Sequence, residues 1–281
     1  GDILYQVDGE AVTGKDLDLV VKENIRGEEG TYVDITVLRG ENAEETPLHV
    51  ERRSIEVPTV EYQMLENQVG YIYVTQFDEV TAKQFEDAID DLEDQGMEKL
   101  VIDLRNNPGG VLDTAVEMLA YVLPEDKLDG MLVYTADKNG EGDRYFCKDG
   151  KIQRESDDGS RDSRYPKEDG HELDVPLAVL VNGNSASASE VFTGAVMDYD
   201  AGIVVGTTTF GKGIVQNLIP LGDGTAIKLT TAHYYTPNGF DLHGKGLEPD
   251  VVVEMDGELQ KKAVVELSED NQLQAAIEAM N

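Results

Sequence analysis

Basic residues are scarce in this sequence: 23 lysines and arginines stand against 57 acidic residues, giving a formal net charge of −34. That excludes nucleic acid as a partner, because phosphate binding needs clustered Lys and Arg. Docking to anionic lipid is excluded on the same ground, and the acidic surplus reads as a solvated surface. Cysteine is nearly absent. Cys147 stands alone, so no intrachain disulfide forms and no zinc site is built from cysteines. One cysteine suits the cytosol or an extracytoplasmic compartment equally. Long apolar runs are missing too: none approaches the ~20 residues that a membrane-spanning helix needs, so no stable membrane insertion is expected of this chain. No secretory leader opens the sequence. Gly1-Asp2-Ile3-Leu4 reads like the inside of a folded domain, and a missing natural N-terminus is expected.

What is present suffices for one large domain or two modest ones over 281 residues. In the first fifty residues, Asp2 to Val7 reads as a strand entering a tight turn at Asp8-Gly9. Leu17, Val20, Val21 and Ile25 recur at helical spacing up to Gly27. Val33, Ile35 and Val37 alternate as in a half-buried strand, with Leu48 and Val50 as its hairpin partner. From Ser54 to Pro58 the pattern changes. Strands at Val69–Val74, Leu100–Leu104 and Pro176–Val181 alternate with helices at Thr81 onward, Thr114–Leu123 and Ser187–Asp198. Thr81-Ala82-Lys83-Gln84 reads as a capping box, with Phe85, Ala88, Ile89 and Leu92 facing inward. The helix at Thr114 ends before Pro124, and a terminal helix spans Leu273–Met280. This alternation predicts a mixed α/β core with buried parallel strands. Residues 137–172, rich in Asp, Gly, Ser and Arg, read as a mobile hairpin or flap.

Three segments carry chemistry, each at a strand end, where open α/β sheets place their sites. Asp103-Leu104-Arg105-Asn106-Asn107-Pro108-Gly109-Gly110 runs a buried strand into a Gly-Gly turn and a helix start, which offers bare backbone N–H groups as oxyanion donors. In Asn182-Gly183-Asn184-Ser185-Ala186-Ser187-Ala188-Ser189-Glu190 a serine at a helix start gains from the positive end of the helix. In Phe210-Gly211-Lys212-Gly213-Ile214-Val215-Gln216 a lysine sits between glycines and apolar neighbours. Desolvation lowers a lysine's pKa, and only the neutral amine accepts a serine proton. Gln216 could orient that amine. Each segment alone has a plainer reading: an ordinary loop, a helix cap, a solvated lysine. The histidines are His49, His171, His233 and His243. His49 and His171 fall in the first segment and the polar flap. His233 or His243 could serve a Ser-His-Asp hydrolase, although nothing in their spacing favours it. The four are too scattered for a metal site.

Together the strings LRNNPGG, VNGNSASASE, FGKGIVQ and KLTTAHYYTPNGFDLHGKGLEPDVVV resemble the carboxy-terminal processing, or tail-specific, serine proteases over nearly the whole chain. The first segment resembles the C-terminal half of a PDZ domain, through Gly1-Asp2-x-Leu4-x-x-Val7-Asp8-Gly9 and Gly30-Thr31-x-Val33-x-Ile35-x-Val37. The resemblance implies a mixed α+β core of the ClpP/crotonase-like kind. A truncated PDZ domain at 1–53 would precede a protease core at 54–255 and a helical tail at 256–281. It implies a Ser-Lys dyad of Ser187 and Lys212 assisted by Gln216, with an oxyanion hole at the Gly110 and Ala188 amides and no metal or organic cofactor. The implied activity is endopeptidase cleavage near the C-termini of polypeptides through an acyl-enzyme. Extracytoplasmic location is implied as well, and a homo-oligomer stays open. The sequence departs from the family in placing His233 where Arg or Lys is common. The peptide-binding loop of a PDZ domain lies before this point, which leaves two rival readings: a silent peptide-binding scaffold, and a resting protease with a misaligned dyad.

Overall fold

The computed structural model describes residues 2–40, 42–54, 56–123, 130–148, 151–164, 173–222, 224–262 and 265–281. The chain divides into two units, Gly1–Val57 and Pro58–Asn281. The first contains β1 (Ile3–Val7), β2 (Glu10–Ala11), α1 (Leu17–Val20, continued by a wider turn over Val21–Ile25), β3 (Tyr32–Arg39) and β4 (Glu44–Glu51). Its strands form one antiparallel sheet in the order β2-β1-β3-β4. Asp8 and Gly9 both adopt positive φ, the conformation that a tight hairpin turn requires. The Asp16 side chain accepts from the Leu19 N–H and starts the helix. Val7, Val12, Val20 and Val33 make the small core.

The second unit is a mixed α/β structure. In chain order it contains β5 (Val60–Met64), β6 (Val69–Val74), α2 (Thr81–Asp94), β7 (Lys99–Asp103), α3 (Leu112–Val122), β8 (Gly130–Ala136), β9 (Arg144–Lys148), β10 (Lys151–Glu155) and β11 (Arg161–Arg164). There follow β12 (Leu177–Val181), α4 (Ala188–Asp198), β13 (Ile203–Gly206), β14 (Ile214–Pro220), β15 (Ala226–Tyr235), β16 (Val251–Val252) and α5 (Asn271–Ala279). One sheet has the order β16-β13-β12-β7-β6-β5, parallel except for β5. Its strands are covered on both faces, hence their unbroken apolar runs. Ile72, Ile102 and Val179 pack with Phe85, Ile89, Leu119 and Phe192 of α2, α3 and α4. Val101, Leu180 and Val205 pack instead with Leu273 and Ala276 of α5. Phe85, Ile89 and Leu92 of α2 are fully buried, each stabilising by about 1.5–3 kcal/mol.

A second, antiparallel sheet has the order β11-β10-β9-β8-β15-β14. In it the described part of 137–172 forms the antiparallel hairpins β9–β10 and β10–β11, and Tyr145, Cys147 and Ile152 enter the core. The buried positions are too few and too separated by charge to stand out in the sequence. Residues 165–172, His171 among them, and Pro124 lie outside the described residues. Thr81 is corrected. Its hydroxyl accepts from Asp78 N–H, whereas Gln84 turns outward from the helix to accept from Thr59 N–H, so the pair braces β5 instead of closing a capping box.

Candidate active site

The three serines of the motif after β12 have different fates. Ser185 Oγ donates to Leu104 O at 2.7 Å and accepts from Asn182 N–H. Ser189 Oγ donates to Asn107 O at 3.0 Å. Both hydroxyls tie the turn to the loop after β7. Ser187 sits between them as the N-cap of α4, with φ 58° and ψ −115°. A non-glycine residue held there costs about 1–3 kcal/mol and persists only where its surroundings force it. Tyr234, a buried residue of β15, lies near the Ser187 side chain.

The loop after β7 is stitched to that turn. Asn107 O accepts from Ala186 N–H, its side-chain oxygen from Gly109 N–H, and its amide donates to Val74 O. Gly109 and Gly110 must be glycine. Both have positive φ, and a Cβ on Gly109 would stand 2.8 Å from Ala188 N, one on Gly110 1.8 Å from Phe77 O. Neither the Gly110 nor the Ala188 amide donates to another group among the described residues. Arg105, in the same loop, is buried with Asp103, Asp270 and Gln272. Its guanidinium meets Asp103 at 2.9 Å, Asp270 at 2.8 Å and Gln272 at 2.9 Å. Burial disfavours that charge, yet Asp103 and Asp270 outweigh it and hold the group above the ordinary arginine value. The loop is thereby anchored to the start of α5.

The lysine segment connects to the serine turn through Glu190, fully buried in the first turn of α4. Its Oε1 accepts from Thr209 Oγ1 at 2.6 Å and Gly211 N–H at 2.7 Å. Its Oε2 accepts from Ser187 N–H at 2.9 Å and Lys212 N–H at 2.8 Å. One carboxylate oxygen thus holds the main chains of Ser187 and Lys212 together. Phe210 N–H also donates to Ser185 O. The half-buried Lys212 ammonium and the Ser187 hydroxyl are not hydrogen-bonded to each other.

Gln216 is exposed in β14, and its amide donates to Thr230 Oγ1 at 3.4 Å, not to Lys212. His233 and His243 pack edge to face at 4.9 Å, with Asp241 3.7 Å from His233, and neither bonds to Ser187. Among the described residues no group of three His, Cys, Asp or Glu side chains is placed to hold a metal. Glu190, Thr209 and Tyr234 are the site residues that sequence reasoning passed over. For Glu190 the signal was there, since Ser187-x-x-Glu190 is a capping-box spacing. For Thr209 and Tyr234 there was none. A cleft of 640 Å³ adjoins the site, lined by Val111, Val215, Asn217 and Tyr234 among others. No helix of the described residues is long and apolar enough to cross a membrane.

Comparison with known proteins agrees with this architecture. The model of peptidase family S41 matches residues 68–253. A CtpA-like serine protease of Staphylococcus aureus is 39% identical over 253 residues, covering 90% of this chain and 46% of that protein. One from Staphylococcus haemolyticus is also 39% identical, over 252 residues and with the same coverage. The chain therefore spans about half the length of the curated relatives it matches. Among solved structures, the photosystem II D1 C-terminal processing protease superposes with a TM-score of 0.57 at 28% identity, covering 96% of this chain and 66% of that one. An S41 protease from Bacteroides fragilis superposes at 0.62 over 99% of this chain and 72% of that one; at 16% identity it speaks for the fold alone. A strained serine at a helix start, bound through one carboxylate to a lysine loop, thus lies within a matched family domain: the chain belongs to peptidase family S41.

Proposed function

We propose that this chain is the catalytic part of a serine endopeptidase that cuts polypeptides near their C-termini. The observation that carries the reading is Glu190 Oε2, which accepts from the main chains of both Ser187 and Lys212. Lys212 in its neutral form takes the Ser187 proton as Oγ attacks the scissile carbonyl, and the Gly110 and Ala188 amides hold the resulting oxyanion. Collapse expels the amine, which receives the proton from Lys212, and leaves an acyl-serine; water, deprotonated by the same lysine, then releases the carboxylic acid. The unbonded Gly110 and Ala188 amides beside Ser187 support that oxyanion role. Gln216 would have to turn from Thr230 to assist Lys212. We read the first unit as the C-terminal half of a PDZ-like fold, which its antiparallel sheet and short helix support. An extracytoplasmic location rests on the family resemblance.

Ser187→Ala and Lys212→Ala are each expected to abolish cleavage of a fluorogenic tail peptide and leave the melting temperature within a few degrees of the parent. Full activity of Lys212→Ala at neutral pH would sink the dyad. A second reading, a resting arrangement, is favoured by the missing Ser187–Lys212 hydrogen bond. Titrating the peptide distinguishes the two, since a resting enzyme shows a lag or sigmoidal activation.

A further inference from the structure

We infer that one face of the β14–β15 hairpin is an exosite: it receives aliphatic side chains of the polypeptide being cut, about seven residues from the cleaved bond. The inference rests on the protease reading above. Along the hairpin Asn217 lies opposite Leu229, and Ile219 opposite Ile227. Opposed residues of an antiparallel pair project to the same face, and positions two apart on a strand share it. Asn217 lines the 640 Å³ cleft, and its amide donates at 3.1 Å to Thr231 Oγ1, which lines the cleft too. The face that borders the cleft therefore continues along the hairpin as Leu229, Ile219 and Ile227. These side chains are 49%, 43% and 50% exposed, although all three are aliphatic. The opposite face is mixed, with Gln216, Lys228 and Thr230 among its side chains. An extended substrate advances about as far per residue as a strand does, which places Ile219 about seven residues on from Lys212.

Continuity and charge identify the occupant. Aliphatic side chains left in water along one strip of a strand pair mark a contact surface. This strip begins in the cleft beside the serine, so an extended chain leaving that cleft lies over it. From Thr207 to Tyr235 the sequence holds one acidic residue, Asp223, against Lys212 and Lys228, in a chain of net charge −34. Asp137 and Glu141 line the same cleft. An acidic segment is repelled there, and a neutral or basic segment with aliphatic residues is favoured. A second copy would bring its own acid surplus against this face, which argues for substrate as the occupant. Pro220 leaves the outer edge of β14 short of an N–H, so the contact rests on side chains and not on a long added strand.

Two peptides test this, alike around the cleaved bond. About seven residues away on both sides, one carries leucines and the other serines. The parent chain is expected to cut the leucine peptide with kcat/KM about tenfold higher, through KM, as partial burial of aliphatic side chains gives. Ile219→Thr, Ile227→Thr and Leu229→Thr together keep strand propensity and leave the catalytic machinery untouched. In that triple variant the leucine preference is expected to vanish while cleavage of the serine peptide is unchanged. A parent without the preference, or a variant that keeps it, overturns the inference. Should the triple variant melt early, Leu229→Thr alone is expected to lower the preference about threefold, and an unchanged preference there overturns the inference. Fluorescence anisotropy of both peptides on Ser187→Ala protein separates the two levels. If the parent cuts neither peptide, the protease reading falls; equal affinity of the two peptides then overturns the inference as well, whereas tighter leucine binding that the threonines remove sustains it. Sedimentation tests the rival occupant. A parent dimer that the triple variant turns into a monomer assigns the face to a second copy and overturns the inference.

Discussion

Glu190 shows how much one side chain can decide. A buried carboxylate that accepts four hydrogen bonds is strongly stabilised by them, and the four donors belong to Ser187, Thr209, Gly211 and Lys212. Glu190→Gln keeps the volume but turns an NH₂ group toward amide or hydroxyl donors on one side. The expected cost is about 2–4 kcal/mol of stability. Peptidase activity is expected to fall about a hundredfold or more, because a small displacement of the reacting groups is costly. Chemical denaturation and the peptide assay measure the two. A Gln variant with parental activity would mean that the carboxylate is only a helix cap. The three serines teach the same lesson: identical residue types in S-A-S-A-S are separated only by what each hydroxyl meets. Ser185 and Ser189 reach carbonyls of the β7 loop, leaving Ser187 with the strained backbone.

At the scale of elements, the clearest long-range tie joins the loop after β7 to α5. Asp270 Oδ1 accepts from the Gln272 and Leu273 N–H groups and so starts α5, while its other oxygen binds Arg105. Tyr71 of β6 completes the group by donating to Asp103 at 2.7 Å. Asp270→Ala therefore removes a cap and leaves a buried guanidinium short of a partner. The expected destabilisation is about 3–5 kcal/mol, measurable as a shift in the denaturation midpoint at unchanged slope. A loss below about 1 kcal/mol would indicate that Asp103 and Gln272 satisfy Arg105 without help. Helix positions in this unit were readable because their apolar periodicity is strong: Phe85, Ala88, Ile89 and Leu92 all face the core as their spacing requires. Ends were less readable. The last helix runs Asn271–Ala279 and not Leu273–Met280, because Asp270, polar and buried, is its cap. The strands β9 to β11 were hidden by their charge, since Asp143, Arg154 and Asp157 form ion pairs along a sheet that shows few aliphatic residues.

At the scale of the larger unit, its core also buries groups that can ionise. Tyr71, Tyr145 and Tyr234 are all pushed above the ordinary tyrosine value of 10, chiefly by burial, with Asp103 adding to Tyr71 and Asp113 to Tyr145. In the unfolded chain these phenols release their protons near pH 10, while the folded state retains them. The native state then binds more protons, so their contribution to stability is complete below about pH 10 and falls as pH rises beyond it. Of twelve tyrosines, three are expected to ionise only together with alkaline unfolding. Phenolate absorbance followed beside circular dichroism tests this. Smooth ionisation of all twelve before any loss of structure would contradict it.

The alternation of strand and helix in the central layer, the buried parallel character of its strands and the ordered motifs of peptidase family S41 were determined by the sequence alone. The reason is physical: a strand covered on both faces must be apolar throughout, and a glycine pair against Phe77 and Ala188 tolerates no side chain. Tertiary structure decided what no local pattern encodes. Glu190 joins two segments more than twenty residues apart on one oxygen. Gln216 turns to Thr230 because the register of β14 on β15 slips between Val215 and Gln216. Hydrogen bonds between distant segments depend on packing and register, and these exist only once the sheets have assembled.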